Sequence, residues 1–269
     1  MPQATKMPAY YLPHGGGPCF FMDWNPSDTW DGMKAFLESI APQLPEKPKA
    51  ILVVTAHWLA PAFTVSSGEN PALIYDYYGF PPHTYQLRYD APGDPALAAE
   101  IVRRLRAAGL EANEDPQYGF DHGVFIPLKV MFPEADIPVV AMSVRHDLDP
   151  AMHIKAGRAL ESLRDEGVLI VGSGMSFHNM RAYGDPRFTP ISEAFDAWLA
   201  ESIVAPANER EARLAAWEQA PNARLCHPPR AEEHLVPLFV AAGAAGEGAG
   251  SRVYAQRVMQ TAISGFRFD

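Results

Sequence analysis

The chain is poor in cysteine, and that scarcity removes two possibilities at once. Cys19 and Cys226 are the only two in 269 residues. A pair so far apart makes no disulfide framework, and without a C-x-x-C pair there is no sulfur-based metal site to read. Basic residues are also few: 22 Lys and Arg face 32 Asp and Glu, a formal charge of −10. Nucleic acid and anionic membranes both reward a basic surface, so neither is expected as a partner. No apolar run approaches the ~20 residues that span a bilayer. The opening MPQATKMPAYYLP has no apolar stretch behind a basic segment, so no signal peptide is read there. These absences lead to the expectation of a soluble, cytoplasmic protein.

What is present suits a packed α/β domain. Hydrophobic residues make up 48% of the chain and charged residues 20%, enough core and too little charge for disorder. Three β-branched apolar runs, at 50–58 (AILVVTAHW), 138–144 (PVVAMSV) and 168–176 (VLIVGSGMS), read as strands buried on both faces. Weaker strand candidates are AYYLPH, FTVSS, TYQLRY (84–89) and SRVYAQRVM (251–259). Helical patterns fall at 28–41, 94–110, 149–167, 189–204 and 231–246, two of them opening on Asp-Pro and closing on Gly. With no repeat and no splitting linker, the expectation is one domain over 1–269, a central mixed sheet flanked by helices.

The string YYLPHGGGPCFF poses the functional question. HGGG serves lipases and esterases as an oxyanion-hole motif, but that reading requires a G-x-S-x-G elbow downstream, and the chain has none. The GSG after the run at 168–171 has Phe177 where a dinucleotide fingerprint needs its third glycine. A metal reading remains. A lone histidine is usually a hydrogen-bonded core or surface residue, yet several here stand at predicted strand ends or a helix start: His14, His57, His178 and His234, with His122 in similar company. In α/β sheets, sites gather beyond the carboxyl ends of strands. His14 and His57, read as lying at adjacent strand ends, plus one ligand from Glu232, Glu233 or His234, would bind Fe(II) or Zn with positions left open. On a helix successive side chains diverge by about 100°, so only one of those three would face the metal. Gly15, Gly16 and Gly17 clear space beside His14 for a flat substrate.

In this order, LPHGGGP, VVTAHW, YDYYGFPPHTYQLRY, FDHGVFIPLKVMFP, GSGMSFHNMR and EEHLVPLFVAAG resemble the extradiol ring-opening dioxygenases of the protocatechuate 4,5-dioxygenase catalytic-subunit superfamily, and more closely its DOPA 4,5-dioxygenase branch. The resemblance spans nearly the whole chain. It implies a mononuclear Fe(II) site with His14, His57 and His234 as ligands, His234 standing where the protocatechuate branch has a glutamate. It also implies His178 as acid/base and His122 as a pocket-lining second-sphere histidine, with a small aromatic diol and O2 as reactants. One departure is the loop: many members of the DOPA branch read HGSP where this chain reads HGGGP, which bears on the substrate more than on the chemistry.

Weaker site candidates complete the reading. His83, with Tyr85 and Arg88, is placed at the substrate entrance. His227 is placed within reach of the pocket, and Arg230 is a candidate partner for a substrate carboxylate. Tyr75, Tyr77 and Tyr78 are expected to pack, His146 and His153 to lie at the surface, and Cys19 to be a small buried residue. The alternative function is a zinc-binding member of the same fold, with His178 as a fourth ligand. A non-catalytic relic of the pocket is a third reading, which the full set of histidines argues against. The oligomeric state is left between a monomer and a small homo-oligomer.

Overall fold

Three of the sequence's apolar runs form the middle of one sheet. The computed structural model describes residues 6–269. Strand β1 (Ala9–Pro13) is wholly buried, and β2 (Ala50–Ala60) is buried through Ala56. Beyond β2 the chain turns into the short β3 (Phe63–Ser66) and later β4 (Ala112–Asp115), then β5 (Val139–Arg145) and β6 (Val168–Gly174). A hairpin of β7 (Gly250–Val258) and β8 (Thr261–Phe268) ends the chain. The strand order is β4-β3-β5-β2-β6-β1-β8-β7. The pairs β5–β2, β2–β6, β6–β1 and β3–β4 are parallel, whereas β3–β5, β1–β8 and β8–β7 are antiparallel. The mixed, helix-flanked sheet is the expected architecture.

The helices follow their caps. In α1 (Asp31–Glu38) the N-cap is Trp30, without a side-chain bond. In α2 (Pro95–Ala107) Asp94 accepts from Leu97 N at 2.9 Å, and Pro95 takes the first helical position. Helix α3 (His122–Met131) is apolar on all sides and carries Pro127 inside it, so its period is not readable in the sequence. In α4 (Pro150–Leu160) Asp149 caps Met152 N at 2.9 Å. Then come α5 (Thr189–Ile203), α6 (Ala207–Ala215), the short α7 (Ala223–Cys226) and α8 (Val236–Ala244), in which every residue is buried. A helix apolar all round belongs inside a protein. It packs on α4, β6 and β1.

Two expectations fail for local reasons. TYQLRY is no strand: Pro82–Gln86 form a 3₁₀ turn, with Thr84 N and Oγ1 both donating to Pro81 O. His153 is not at the surface but fully buried. Its Nδ1–H donates to Asp149 O at 2.6 Å and its Nε2 accepts from Arg145 N at 3.0 Å, so its tautomer and neutral state are both set by the fold. His146 is exposed, as expected.

Buried neutral histidines make the fold acid-labile. Burial pushes His153 down to about 4 and the equally buried His227 to about 3. An unfolded histidine titrates near 6.5. Below that pH the unfolded chain binds protons that the fold refuses, so stability falls as pH falls from about 6.5 towards 4. Each such residue contributes a slope of ~1.4 kcal/mol per pH unit. The thermal midpoint of metal-free protein should therefore drop across that window, and His153→Gln should flatten the drop by one residue's share. An unchanged slope in the variant would contradict this.

Candidate metal centre and active-site cavity

The carboxyl ends of β1, β2 and β6 meet at one place, and the histidines are there. His14 directly follows β1, its N–H donating to Gly174 O at 3.1 Å. His57 lies inside β2, where the pairing with β5 shifts register between Val54 and Leu59. Bulges of this kind re-aim side chains next to active sites. His122 opens α3, and His178 lies just past β6 with its N–H on Cys226 O at 3.0 Å. His234 precedes α8, and its carbonyl accepts from Tyr11 Oη at 2.7 Å and Met175 N at 3.2 Å. A Cβ on Gly174 would lie 2.0 Å from that carbonyl oxygen, so the end of β6 must be glycine for His234 to reach the site. The strand ends of His14 and His57 are not adjacent as expected, because β6 runs between β1 and β2. Its small Gly172-Ser173-Gly174 end lets the two histidines meet across it.

Five imidazoles converge. The Nε2 atoms of His14 and His57 are 3.3 Å apart. Ring centroids separate His14 from His122 by 5.3 Å and from His234 by 5.1 Å, while His57 lies 3.8 Å from His122 and 4.8 Å from His234. His178 stacks on His234 at 3.4 Å, the rings inclined by 16°. Two donor groups are compact enough for one ion, His14–His57–His122 and His178–Glu233–His234, each with ligand atoms within 4.8 Å of one another. His14 Nδ1 is buried with no hydrogen-bond partner among the described residues. Such a donor set, neutral nitrogen lone pairs crowded at 3–5 Å, fits a divalent transition metal.

Two carboxylates orient these rings. Asp76 Oδ1 accepts from both N–H groups of His122, backbone at 2.9 Å and Nδ1 at 2.8 Å, and its Oδ2 lies 3.5 Å from His57 Nδ1. The sequence reading missed Asp76 between its three tyrosines. The carboxylate that fixes the ligand's other nitrogen has no sequence spacing of its own. Glu233 Oε1 lies 3.0 Å from His234 Nδ1 and 3.4 Å from His178 Nδ1. This corrects the expectation that only one of Glu232, Glu233 and His234 can face the site. The helix starts only at Val236, so Glu233 and His234 sit on a turn and both turn inward. Glu232 turns elsewhere, to Arg224 at 3.0 Å.

Burial sets the charge states. It pushes His14 and His234 well below the usual histidine value, with the neighbouring imidazoles adding to it, and takes His57 to about 3 and His178 to about 4. All four rings are neutral at pH 7, the form that binds metal or accepts a proton. Burial works to raise Asp76, but its hydrogen bonds from the side chain and backbone of His122 and the pull of the neighbouring imidazoles outweigh this and hold it low. Burial raises Glu233, and lifts Asp121, at the head of α3, to about 6.

The rings floor a cavity of about 510 Å³. His14, Gly15, Gly16, Gly17, His57, Asp76, His122, His178 and His234 all line it, with Trp24, Trp30, Phe80 and Met175 among its apolar walls. Tyr77 is buried as expected, but Tyr78, which also lines the cavity, is 91% exposed. His83, His227 and Arg230 do not line the cavity. His83 is exposed with Nε2 2.9 Å from Phe21 O, His227 donates from Nε2 to Ser176 O at 2.9 Å, and Arg230 is exposed. Cys19 is buried, and burial pushes its thiol far up.

The three glycines are not equivalent. Gly15 (φ +83°) would set a Cβ 2.3 Å from Cys19 Sγ, and Gly17 (φ +56°) would set one 3.0 Å from Phe80. Gly16 would meet only Trp30 at 3.5 Å, an ordinary contact. Gly16→Ala should therefore fold normally and bind metal, whereas Gly15→Ala should lower the thermal midpoint, left-handed strain alone costing ~1 kcal/mol. Equal loss in both variants would count against this loop geometry.

Comparison with known proteins agrees with the geometry. Residues 8–267 match the family described as the catalytic LigB subunit of aromatic ring-opening dioxygenase. The dioxygenase tasH of Hapsidospora irregularis is 43% identical, covering 91% of this chain and 81% of its own. The 4,5-DOPA dioxygenase extradiol of Beta vulgaris is 41% identical over 88% of this chain and 87% of its own. A crystal structure of an uncharacterized protein from Escherichia coli K12 superposes with a TM-score of 0.78 at 28% identity, covering 98% of this chain and all of that one. Strand-end histidines, sheet order and sequence together show that the chain belongs to the LigB family of aromatic ring-opening dioxygenases, as an extradiol enzyme of its 4,5-DOPA dioxygenase-like branch.

Proposed function

We propose that this protein opens the ring of a substituted, DOPA-like catechol beside its two hydroxyls, using O2 and one Fe(II) held by His14, His57 and His234. The observation that carries this is the convergence of neutral imidazoles on the floor of a single aromatic-walled cavity. When bound, the ion would bring catechol and dioxygen together and pass electrons between them, as imidazole sites with open positions allow Fe(II) to do.

The protein's own residues supply the rest. His178, kept neutral by burial, takes the proton of a catechol hydroxyl and later returns it to the departing oxygen. Glu233, 3.4 Å from its Nδ1, stabilises the imidazolium between those steps. His122, held by Asp76 through both N–H groups, keeps a fixed ring edge towards the substrate. Trp24, Trp30 and Phe80 exclude water, and half-buried Gly16 lets an aromatic ring lie against the backbone.

Oxygen uptake by Fe(II)-reconstituted protein against DOPA, caffeate, protocatechuate and catechol, with visible absorbance followed in parallel, tests this. Uptake with growth of a yellow ring-opened product is expected for at least one. Iron-bearing protein inert to all four would count against it.

A further inference from the structure

We propose that Asp121 is a positioning residue for the metal centre: through Thr55 and Tyr118 it holds the bulge of β2 that carries His57 against the head of α3 that carries His122, and so fixes how the two imidazoles meet. This rests on the metal reading above, with His57 as a ligand and His122 as a pocket histidine. It extends that reading to a buried residue outside the cavity lining.

The first observation is a bond that Asp121 does not make. It stands at the N-cap of α3, where an aspartate ordinarily accepts a backbone N–H of the first turn, yet its side chain makes no capping bond. The N–H of His122 goes to Asp76 instead. Both Asp121 oxygens are engaged elsewhere. Oδ1 accepts from Thr55 Oγ1 at 2.8 Å, and Oδ2 accepts from Tyr118 Oη at 2.9 Å. A carboxylate buried on two neutral hydroxyls is a poor source of stability, so its contribution is to geometry.

The second observation is where those two partners lead. Thr55 Oγ1 also accepts the N–H of His57 at 3.2 Å, inside the stretch where the pairing of β2 with β5 shifts register. The Tyr118 ring lies flat on Trp58, the residue after His57, with centroids 3.6 Å apart and planes inclined by 3°. One carboxylate therefore grips the strand on both sides of His57. Strand and helix approach so closely that residue 123 must be glycine. A Cβ there would lie 2.8 Å from Thr55 Oγ1, 2.9 Å from His57 Cδ2 and 3.0 Å from Asp121 Oδ1. Asp76 bridges the rings of His57 and His122 themselves, whose centroids are 3.8 Å apart. Asp76 orients the rings, and Asp121 orients the backbones that carry them.

Titration of the metal-free protein with Co(II), its visible absorption serving as a probe of ligand geometry, tests the inference without turnover. Asp121→Asn should weaken Co(II) binding about 10–100-fold, the usual effect of removing a partner behind a metal-ligating histidine, and should change the absorption of the bound ion. Thr55→Val, which keeps the shape of the side chain and drops its hydroxyl, should act in the same direction. Thr55→Ser should restore wild-type affinity and spectrum, and Tyr118→Phe, which keeps the stack on Trp58, should give a smaller loss. A lowered thermal midpoint with wild-type affinity and spectrum in Asp121→Asn and Thr55→Val would reduce the carboxylate to a merely structural role and overturn the inference. So would Thr55→Ser binding Co(II) no better than Thr55→Val. If the wild-type protein takes up no Co(II), the metal reading fails separately. The clamp is then read in metal-free protein from the imidazole NMR signals of His57 and His122, which Thr55→Val should shift; unmoved signals would overturn it.

Discussion

Replacing His178 with alanine is expected to leave bound iron unchanged and to lower turnover by ~10²–10⁴-fold, the contribution of a positioned general acid–base group. The expectation follows from where the ring sits. It stacks on the outer face of the cluster at 3.4 Å from His234, whereas His234 itself approaches His14 and His57 at 5.1 and 4.8 Å. Among the described residues its only charged neighbour within 4 Å is Glu233. A ring so placed can exchange protons with a substrate lying over the other four histidines. Added imidazole should restore part of the lost rate in the alanine variant, a rescue that a merely structural role would not give. Loss of iron together with activity would make His178 a ligand instead, as in a zinc-type tetrahedron.

Alanine at His14 or at His57 is expected to abolish metal binding. Their Nε2 atoms lie 3.3 Å apart, an approach that two neutral imidazoles make comfortably only around a shared proton or cation. The third ligand is the finer question. His234→Ala should also lose the metal, while His122→Ala should keep it and lose rate, because Asp76 already engages His122. Asp76→Asn should weaken metal affinity or activity by about 10–100-fold, the usual effect of removing a carboxylate behind a ligand or pocket histidine. Metal content measured across this series decides the assignment. Retention in His234→Ala with loss in His122→Ala would transfer the third position to His122, and loss in Glu233→Ala alone would transfer it to the carboxylate.

Much of this was legible in the chain, and the exceptions share a cause. Strands β2, β5 and β6 were plain because strands buried on both faces read as unbroken apolar runs. Helices α2 and α4 were plain because Asp-Pro marks their starts; Gly109 follows the end of α2, whereas α4 stops at Leu160 and Gly167 closes the 3₁₀ turn after it. Strand β4, Ala-Asn-Glu-Asp at the sheet edge, and helix α3, apolar all round, have no period to detect. The histidines stood out because each sits at or near the end of an apolar run or the start of a helix, although His57 proves to lie inside β2. Asp76 did not, since its role comes only from the fold bringing residue 76 to residue 122. The inward turn of Glu233 was hidden by a helical pattern that seemed to begin five residues earlier than it does. His153 and His227 show the converse: isolated histidines that the fold buries as hydrogen-bonded core residues, away from the site.

The central claim is that the imidazole-floored cavity inserts both atoms of dioxygen into a catechol ring. Mass spectrometry of the product formed from DOPA under ¹⁸O-labelled dioxygen, by protein loaded with Fe(II), tests it directly. The account predicts a ring-opened product initially carrying both labelled atoms, one of them in a carboxylate that retains it. A quinone without label, or no product from protein shown to hold iron, would contradict it.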